Sequence, residues 1–173
     1  MLLVAELDIQ NQDVNEVLGQ IEKALGSKGS IIESQVTADR SQLFSVIEAD
    51  AKEVVESGLG NAGLKVLDLA QVRLVGAELA DIKKLKPKGQ YLVEWDFPEG
   101  LTMDKYLTRK KEKSPLYEGI TDAKFLRTYV REDMVKCLCF YDGDSEEAVL
   151  NARKVVDTPV SRIHQIQGVE NTR

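Results

Sequence analysis

Apolar and polar positions follow two rhythms along this chain, and the rhythm changes at regular intervals. Residues 2–9 read as a strand. From Asp13 to Leu25 the apolar residues Val14, Val17, Leu18, Ile21 and Leu25 recur at helical spacing, with Gly26 and Gly29 after them. Residues 30–37 and 42–49 read as strands joined by the polar tip Ala38-Asp39-Arg40-Ser41, a hairpin. Ala51 to Asn61 predicts a short helix ending in glycines, and residues 65–75 a last strand. The second half predicts a strand at 90–97, a helix over 102–113 or longer, and strands at 124–131 and 135–142. A helix at 144–155 and a strand at 160–167 complete it, with Ser145-Glu146-Glu147 supplying helix-start chemistry after Asp144.

The second series repeats the first. Leu3 to Ile9 lines up with Tyr91 to Phe97 at an offset of 88, with Glu and Asp coinciding. Ile31 to Asp50 lines up with Phe125 to Asp144 at an offset of 94, which also carries Val66 onto Val160 and Gln71 onto Gln165. Between the copies runs ADIKKLKPKG, Ala80 to Gly89, punctuated by Pro87 and Gly89 and carrying four lysines. The expected organisation is residues 1–80, a linker at 81–89, and residues 90–173.

The order βαββαβ, twice, is the ferredoxin-like split βαβ arrangement. Each copy then has a four-stranded antiparallel sheet with two helices on one face and a bare second face. A lone domain of this size buries little surface, and two copies solve that by packing bare face on bare face. The expected fold class is α+β: tandem ferredoxin-like repeats whose antiparallel sheets pack face to face as a pseudo-dimeric α/β barrel.

Strand alternation then sorts the side chains of the second copy. Tyr91, Val93, Trp95 and Phe97 form an apolar face under the helices, which turns Glu94 and Asp96 outward. Leu138 and Phe140 are read as helix-facing, which places Cys137, Cys139 and Tyr141 on the bare face. Leu126, Thr128 and Val130 are read the same way, leaving Arg127, Tyr129 and Arg131 opposite, although Phe125 then shares a face with Arg127. Ile163 goes to the helices, and Arg162 and His164 to the bare face. The candidate ligand-binding residues are therefore Glu94, Arg127, Tyr129, Cys139, Tyr141, Arg162 and His164. The first copy's equivalents are plainer: Glu6, Glu33, Gln35, Ser45, Ile47, Asp68 and Ala70. Burial between sheets would raise the Glu94 pKa and suit it to proton transfer. The plainer alternative is that its Arg and Glu pair with each other, and that Tyr129, Tyr141, His164 and Cys139 are packing residues.

Charge and composition narrow the classes. The 173 residues carry a formal charge of -6, and a pI near 5.0 argues against non-specific nucleic-acid binding. Hydrophobic content of 43% with 30% charged residues suits a globular chain. No apolar run nears the roughly 20 residues of a membrane span. The start MLLVAELDI lacks a basic segment and a cleavage site, so an intracellular, cytoplasmic protein is expected. Two cysteines make no disulfide framework. On one strand Cys137 and Cys139 would have Cα atoms about 6.5–7 Å apart, too far for an easy bridge. KYLTRKKEK, Lys105 to Lys113, reads as a helix with Met103, Tyr106 and Leu107 inward and Lys110, Lys111 and Lys113 solvated. The letters GLGNAG mimic a dinucleotide fingerprint, but they end a helix and do not open one after a strand. Asp133 reads as a hairpin-turn residue.

Several strings of the second half resemble, in order and spacing, a bacterial domain family of unknown function whose members include small nickel-binding proteins. They are Tyr91-Leu92-Val93-Glu94-Trp95-Asp96-Phe97-Pro98, Gly100-Leu101-Thr102, Tyr129-Val130-Arg131-Glu132-Asp133, Lys136-Cys137-Leu138-Cys139-Phe140-Tyr141-Asp142, Glu146-Glu147-Ala148 and Pro159-Val160-Ser161-Arg162-Ile163. The resemblance covers roughly residues 90–167. It implies a ferredoxin-like fold that dimerises through its sheets, and it places Glu94, Tyr129, Cys139, Tyr141 and Arg162 at the family's typical positions. Members often carry a histidine in each helix, where this chain has Lys or Arg around Lys105–Lys111 and Asn151-Ala152-Arg153. A divalent metal such as nickel would therefore have to lean on carboxylates, which suit harder ions, and no residue is assigned to a metal.

Three functions compete. The first is a binding protein holding a small polar ligand or ion between the two sheets. The second is a cofactor-independent enzyme of the dimeric α/β-barrel type, with Glu94, Tyr129 or His164 moving protons. The third is a structural or partner-binding module, with homo-oligomerisation open. An enclosed pocket lined by Glu94, Tyr129 and Arg162 favours the first two, and Arg162 paired to a carboxylate favours the third.

Overall fold

A computed structural model describes residues 1–84 and 89–169 of the chain. The fold is α+β, and its ladders are antiparallel. No helix among these residues is long and apolar enough to cross a membrane. The described residues divide into two compact units, residues 1–72 with 78–84 and 166–169, and residues 73–77 with 89–165.

In the first unit β1 (Leu2–Asp8) leads to α1 (Val14–Leu25), the hairpin β2 (Gly29–Thr37) and β3 (Gln42–Ala49), α2 (Lys52–Asn61) and β4 (Val66–Val75), whose last residues join the second unit. α1 starts where Asp13 accepts a hydrogen bond from the Glu16 amide at 3.2 Å. Its apolar stripe, Val14, Val17, Leu18, Ile21 and Leu25, packs on Leu3, Ala5, Leu7 and Ile47. β1 pairs with β3 and β4, and β2 with β3 and with residues 166–169. Ile47 and Ser45 pair with Leu3 and Ala5 and so lie on the helix side, not on the bare face as expected. The span read as a linker begins with a helix, α3 (Leu79–Lys84). Pro87 lies outside the described residues.

The second unit has the same order: β5 (Tyr91–Asp96), α4 (Met103–Lys113), β6 (Ala123–Arg131), β7 (Lys136–Gly143), α5 (Glu146–Val155) and β8 (Arg162–Val169), whose last residues belong to the first unit. A single 3₁₀ turn, Ser114–Tyr117, follows α4. Thr102 and Ser145 cap the two helices, accepting from the Lys105 and Ala148 amides at 3.3 and 3.1 Å. The turn between β6 and β7 is held by Asp133, which accepts from the Val135 amide at 3.2 Å.

Two corrections of face follow from the ladders. β5 pairs with β7 so that Val93 opposes Cys139 and Tyr91 opposes Tyr141. Cys137, Cys139 and Tyr141 therefore join Val93, Trp95, Ala148, Val149 and Ala152 in the core under the helices. Leu138 and Phe140 face the other way. All six residues from Lys136 to Tyr141 are buried, so apolar character could not tell one face from the other. The second point concerns β6. Its register shifts between Phe125 and Arg127, a one-residue bulge that sends Phe125 to the helix side and Arg127 to the other. β2 shifts between Ile31 and Glu33, the corresponding positions under the 94-residue offset.

Candidate functional site

The seven candidate residues separate into two places within the second unit. Glu94, Arg127, Tyr129, Arg162 and His164 share the sheet face turned away from α4 and α5. Cys139 and Tyr141 lie beneath those helices.

On the first face Glu94 is a hub. Its Oε1 accepts from Lys136 Nζ at 2.6 Å, and its Oε2 sits 2.9 Å from Arg162 Nε and 2.8 Å from His164 Nε2. β5 and β8 build this contact, since Glu94 pairs directly with Arg162 and Leu92 with His164. Arg162 also forms a two-pronged pair with Asp96, at 2.8 and 2.6 Å. Burial pushes the Glu94 carboxyl up, but hydrogen bonds from His164, Lys136 and Arg162 outweigh it and lower its pKa to about 2. The expected rise in its pKa is thus reversed. Arg127 stacks over the Phe140 ring at 4.7 Å, and Tyr129 meets the same ring edge-on at 5.8 Å. Arg162 is paired with carboxylates, which is the arrangement expected of a structural network.

The second place is a cleft. Trp95 and Cys139 of the sheet, Tyr106, Arg109, Lys110 and Lys113 of α4, Ser114 and Tyr117 of the 3₁₀ turn, and Arg153, Val156 and Thr158 at the end of α5 line it. Its volume is about 30 Å³, room for about two water-sized groups. Arg153 dominates its charge. It is 3% exposed, donates to Tyr141 Oη at 3.1 Å and to the Pro159 carbonyl, and has a buried Nε without a hydrogen-bond partner. Among the described residues no carboxylate pairs with it. A buried, uncompensated guanidinium is costly unless an anion comes to it. Arg109 also buries an unpartnered Nε, and its guanidinium lies 5.7 Å from the Trp95 ring.

Lys110 departs from expectation. It is not on a solvated face: its ammonium lies 3.6 Å from the Phe125 ring centre, and burial lowers its pKa. Tyr141 and Tyr117 meet hydroxyl to hydroxyl at 2.5 Å. Cys139 Sγ lies 3.1 Å from Thr128 Oγ1 and 3.5 Å from Cys137 Sγ. Arg153, Lys110, Trp95 and Tyr117 were not among the sequence candidates. For Arg153 the signal existed: it follows buried Val149 by four residues and so shares its helix face.

Residues 91–166 match the family model of nickel-responsive SCO4226-like proteins. The match runs from β5 into β8 and leaves the first half outside. No curated protein matches the chain. Among solved structures it is similar to "Putative Chlorite dismutase TA0507", at 8% identity over 98% of this chain and 95% of the other, with a TM-score of 0.59. An "anthrone oxidase-like protein" is 14% identical over 99% and 94%, with a TM-score of 0.51. A "putative monooxygenase from Lactobacillus acidophilus NCFM" is 9% identical over 96% and 92%, also with a TM-score of 0.51. Identities this low show a shared fold and no more.

The nickel-responsive family raises the question of a metal. Among the described residues no three His, Cys, Asp or Glu side chains are grouped as a metal ion requires. Glu94 and His164 are already committed, with Lys136 and Arg162 beside them. The two thiols have Arg153 and Lys110 for company. Cations crowd both places, so the donor set does not fit nickel.

Proposed function

We propose that this protein binds a small molecule carrying a carboxylate or comparable oxyanion, with its charged head in the cleft beneath α4 and α5. The observation that carries this reading is Arg153: a buried guanidinium with an unpartnered Nε and no carboxylate beside it, opening on a cleft. Lys110 adds positive charge around it, and Arg109 and Lys113, which share the Asp157 carboxylate at 3.9 and 3.5 Å, line the same cleft, in a chain whose net charge is -6. Charge-assisted hydrogen bonds from such groups are the strong ones. Trp95, Tyr106 and Tyr117 give the ligand's remainder flat apolar surface. The cleft volume of about 30 Å³ suits a head of two oxygens and requires the rest to project outward.

This keeps the expected binding role and moves it from the bare face to the helix side. Proton transfer by Glu94 draws no support from a pKa of about 2, because such a group neither accepts a proton at neutral pH nor has one to give.

Trp95 is the chain's single tryptophan and lines the cleft, so its fluorescence is the readout. Titration with benzoate should change the emission saturably, and benzylamine should not. Lys110→Met and Lys113→Ala should each weaken benzoate binding several-fold while leaving the fold intact. An unchanged emission with benzoate and with inorganic phosphate, at millimolar concentrations and low salt, would overturn the proposal.

A further inference from the structure

We propose that Cys139 is a nucleophilic thiol that reacts with hydroperoxides, in the same cleft but by its own chemistry and not through the ligand reading above. Several independent features meet at its sulfur. It stands on the cleft wall with Arg153 and Lys110. Thr128 Oγ1 lies 3.1 Å away and Cys137 Sγ 3.5 Å away, on the same sheet face two residues along the strand. Reactive cysteines are found in such electropositive surroundings at the edge of an opening, whereas structural cysteines are enclosed by apolar groups. Both thiols are buried, Cys137 at 0% and Cys139 at 2% exposure, and of the two only Cys139 lines the cleft.

The charges agree with the geometry. The hydrogen bond from Cys137 holds the Cys139 thiol well below its usual range. Desolvation opposes this, and the charges of Arg153 and Lys110 assist it. Burial and the hydrogen bond with Cys139 push Cys137 up. These directions favour Cys137 as the donor and Cys139 as the thiol that ionises first.

The size of the cleft selects the electrophile. Room for about two water-sized groups in a volume of about 30 Å³ suits the two oxygens of hydrogen peroxide or the end of an organic hydroperoxide. In the step, Cys139 Sγ attacks one peroxide oxygen and the O–O bond breaks. Sulfur loses two electrons and becomes a sulfenic acid, and the departing oxygen gains them and leaves as hydroxide or alkoxide. That anion takes up one proton from water. Arg153 and Lys110, which line the cleft beside Cys139, supply positive charge where the leaving anion develops.

The full chain is treated with hydrogen peroxide in the presence of dimedone, and the product is mapped by mass spectrometry. The expected result is a dimedone adduct on Cys139, absent in Cys139→Ser and still formed in Cys137→Ser, whose hydroxyl also donates. Iodoacetamide alkylation of Cys139 should have a midpoint below the roughly 8.5 of a free thiol, so that Cys139 reacts several-fold faster than a free thiol at pH 7. Full protection of both thiols in the native chain, with both reacting in urea, would overturn the inference. So would preferential reaction of Cys137. The two readings fail separately in the unaltered chain: benzoate binding with an inert Cys139 removes only this one, and an oxidisable Cys139 without benzoate binding removes only the other.

Discussion

Glu94 and His164 meet across the β5–β8 ladder, Oε2 to Nε2, at 2.8 Å. The same carboxylate holds Lys136 and Arg162, so one buried anion, 2% exposed, organises three groups on two neighbouring strands. This is the one face where sequence alternation had gathered charge, and the charge is spent on holding the strands together.

An acid-sensitive contribution to stability follows. The Glu94 carboxyl is lowered from 4.5 to about 2. A carboxyl depressed in the folded state stabilises above its unfolded value and loses that contribution as pH falls through the folded value. Glu94 should therefore contribute on the order of 3 kcal/mol above pH 4.5, lost progressively toward pH 2. Urea unfolding at steps between pH 5.5 and about 2.5 measures it. Glu94→Gln should be less stable than the parent at pH 5.5 and should converge on it in acid. Parallel stability curves for the two would contradict the assignment.

Element positions were legible because periods of 2 and 3.6 do not imitate each other over these lengths. The apolar positions of α1 and the cap chemistry of Ser145 placed two helices within a residue or two. Faces were less legible. Cys137, Cys139 and Tyr141 sit on a strand buried on both sides, where Leu138 and Phe140 are as apolar as their neighbours, and only the pairing of Val93 with Cys139 decides. A one-residue bulge at Leu126 leaves no mark in composition, yet it separates Phe125 from Arg127. Tyr117 lies in a 3₁₀ turn after Pro115, too short to show a period.

α5 carries Arg153 into the cleft, and Ser145 fixes where α5 begins. The Ser145 hydroxyl accepts from the Ala148 amide at 3.1 Å. Ser145→Ala should cost about 1 kcal/mol in chemical denaturation, and Ser145→Asp should retain most of the stability. A cost below the precision of the measurement would mean that the first turn is held by packing alone.

The end of β7 is fitted to the same helix. A methyl added at Gly143 would lie 2.7 Å from Val149 Cγ2, closer than two carbons can approach. Val149 is fully buried, so it has little room to retreat. Gly143→Ala should therefore cost about 1–3 kcal/mol through overpacking. Val149→Ala, which opens a void, should cost a similar amount. Combined, the two changes relieve each other: the added methyl occupies the space the lost one leaves. The double variant should be more stable than the sum of the single losses predicts, by about 1 kcal/mol, as expected for residues in direct contact. Denaturant unfolding of all four proteins closes the cycle. Strict additivity would show that Gly143 is required for another reason, such as the passage of the Asp144 amide to the Asp122 carbonyl at 2.9 Å.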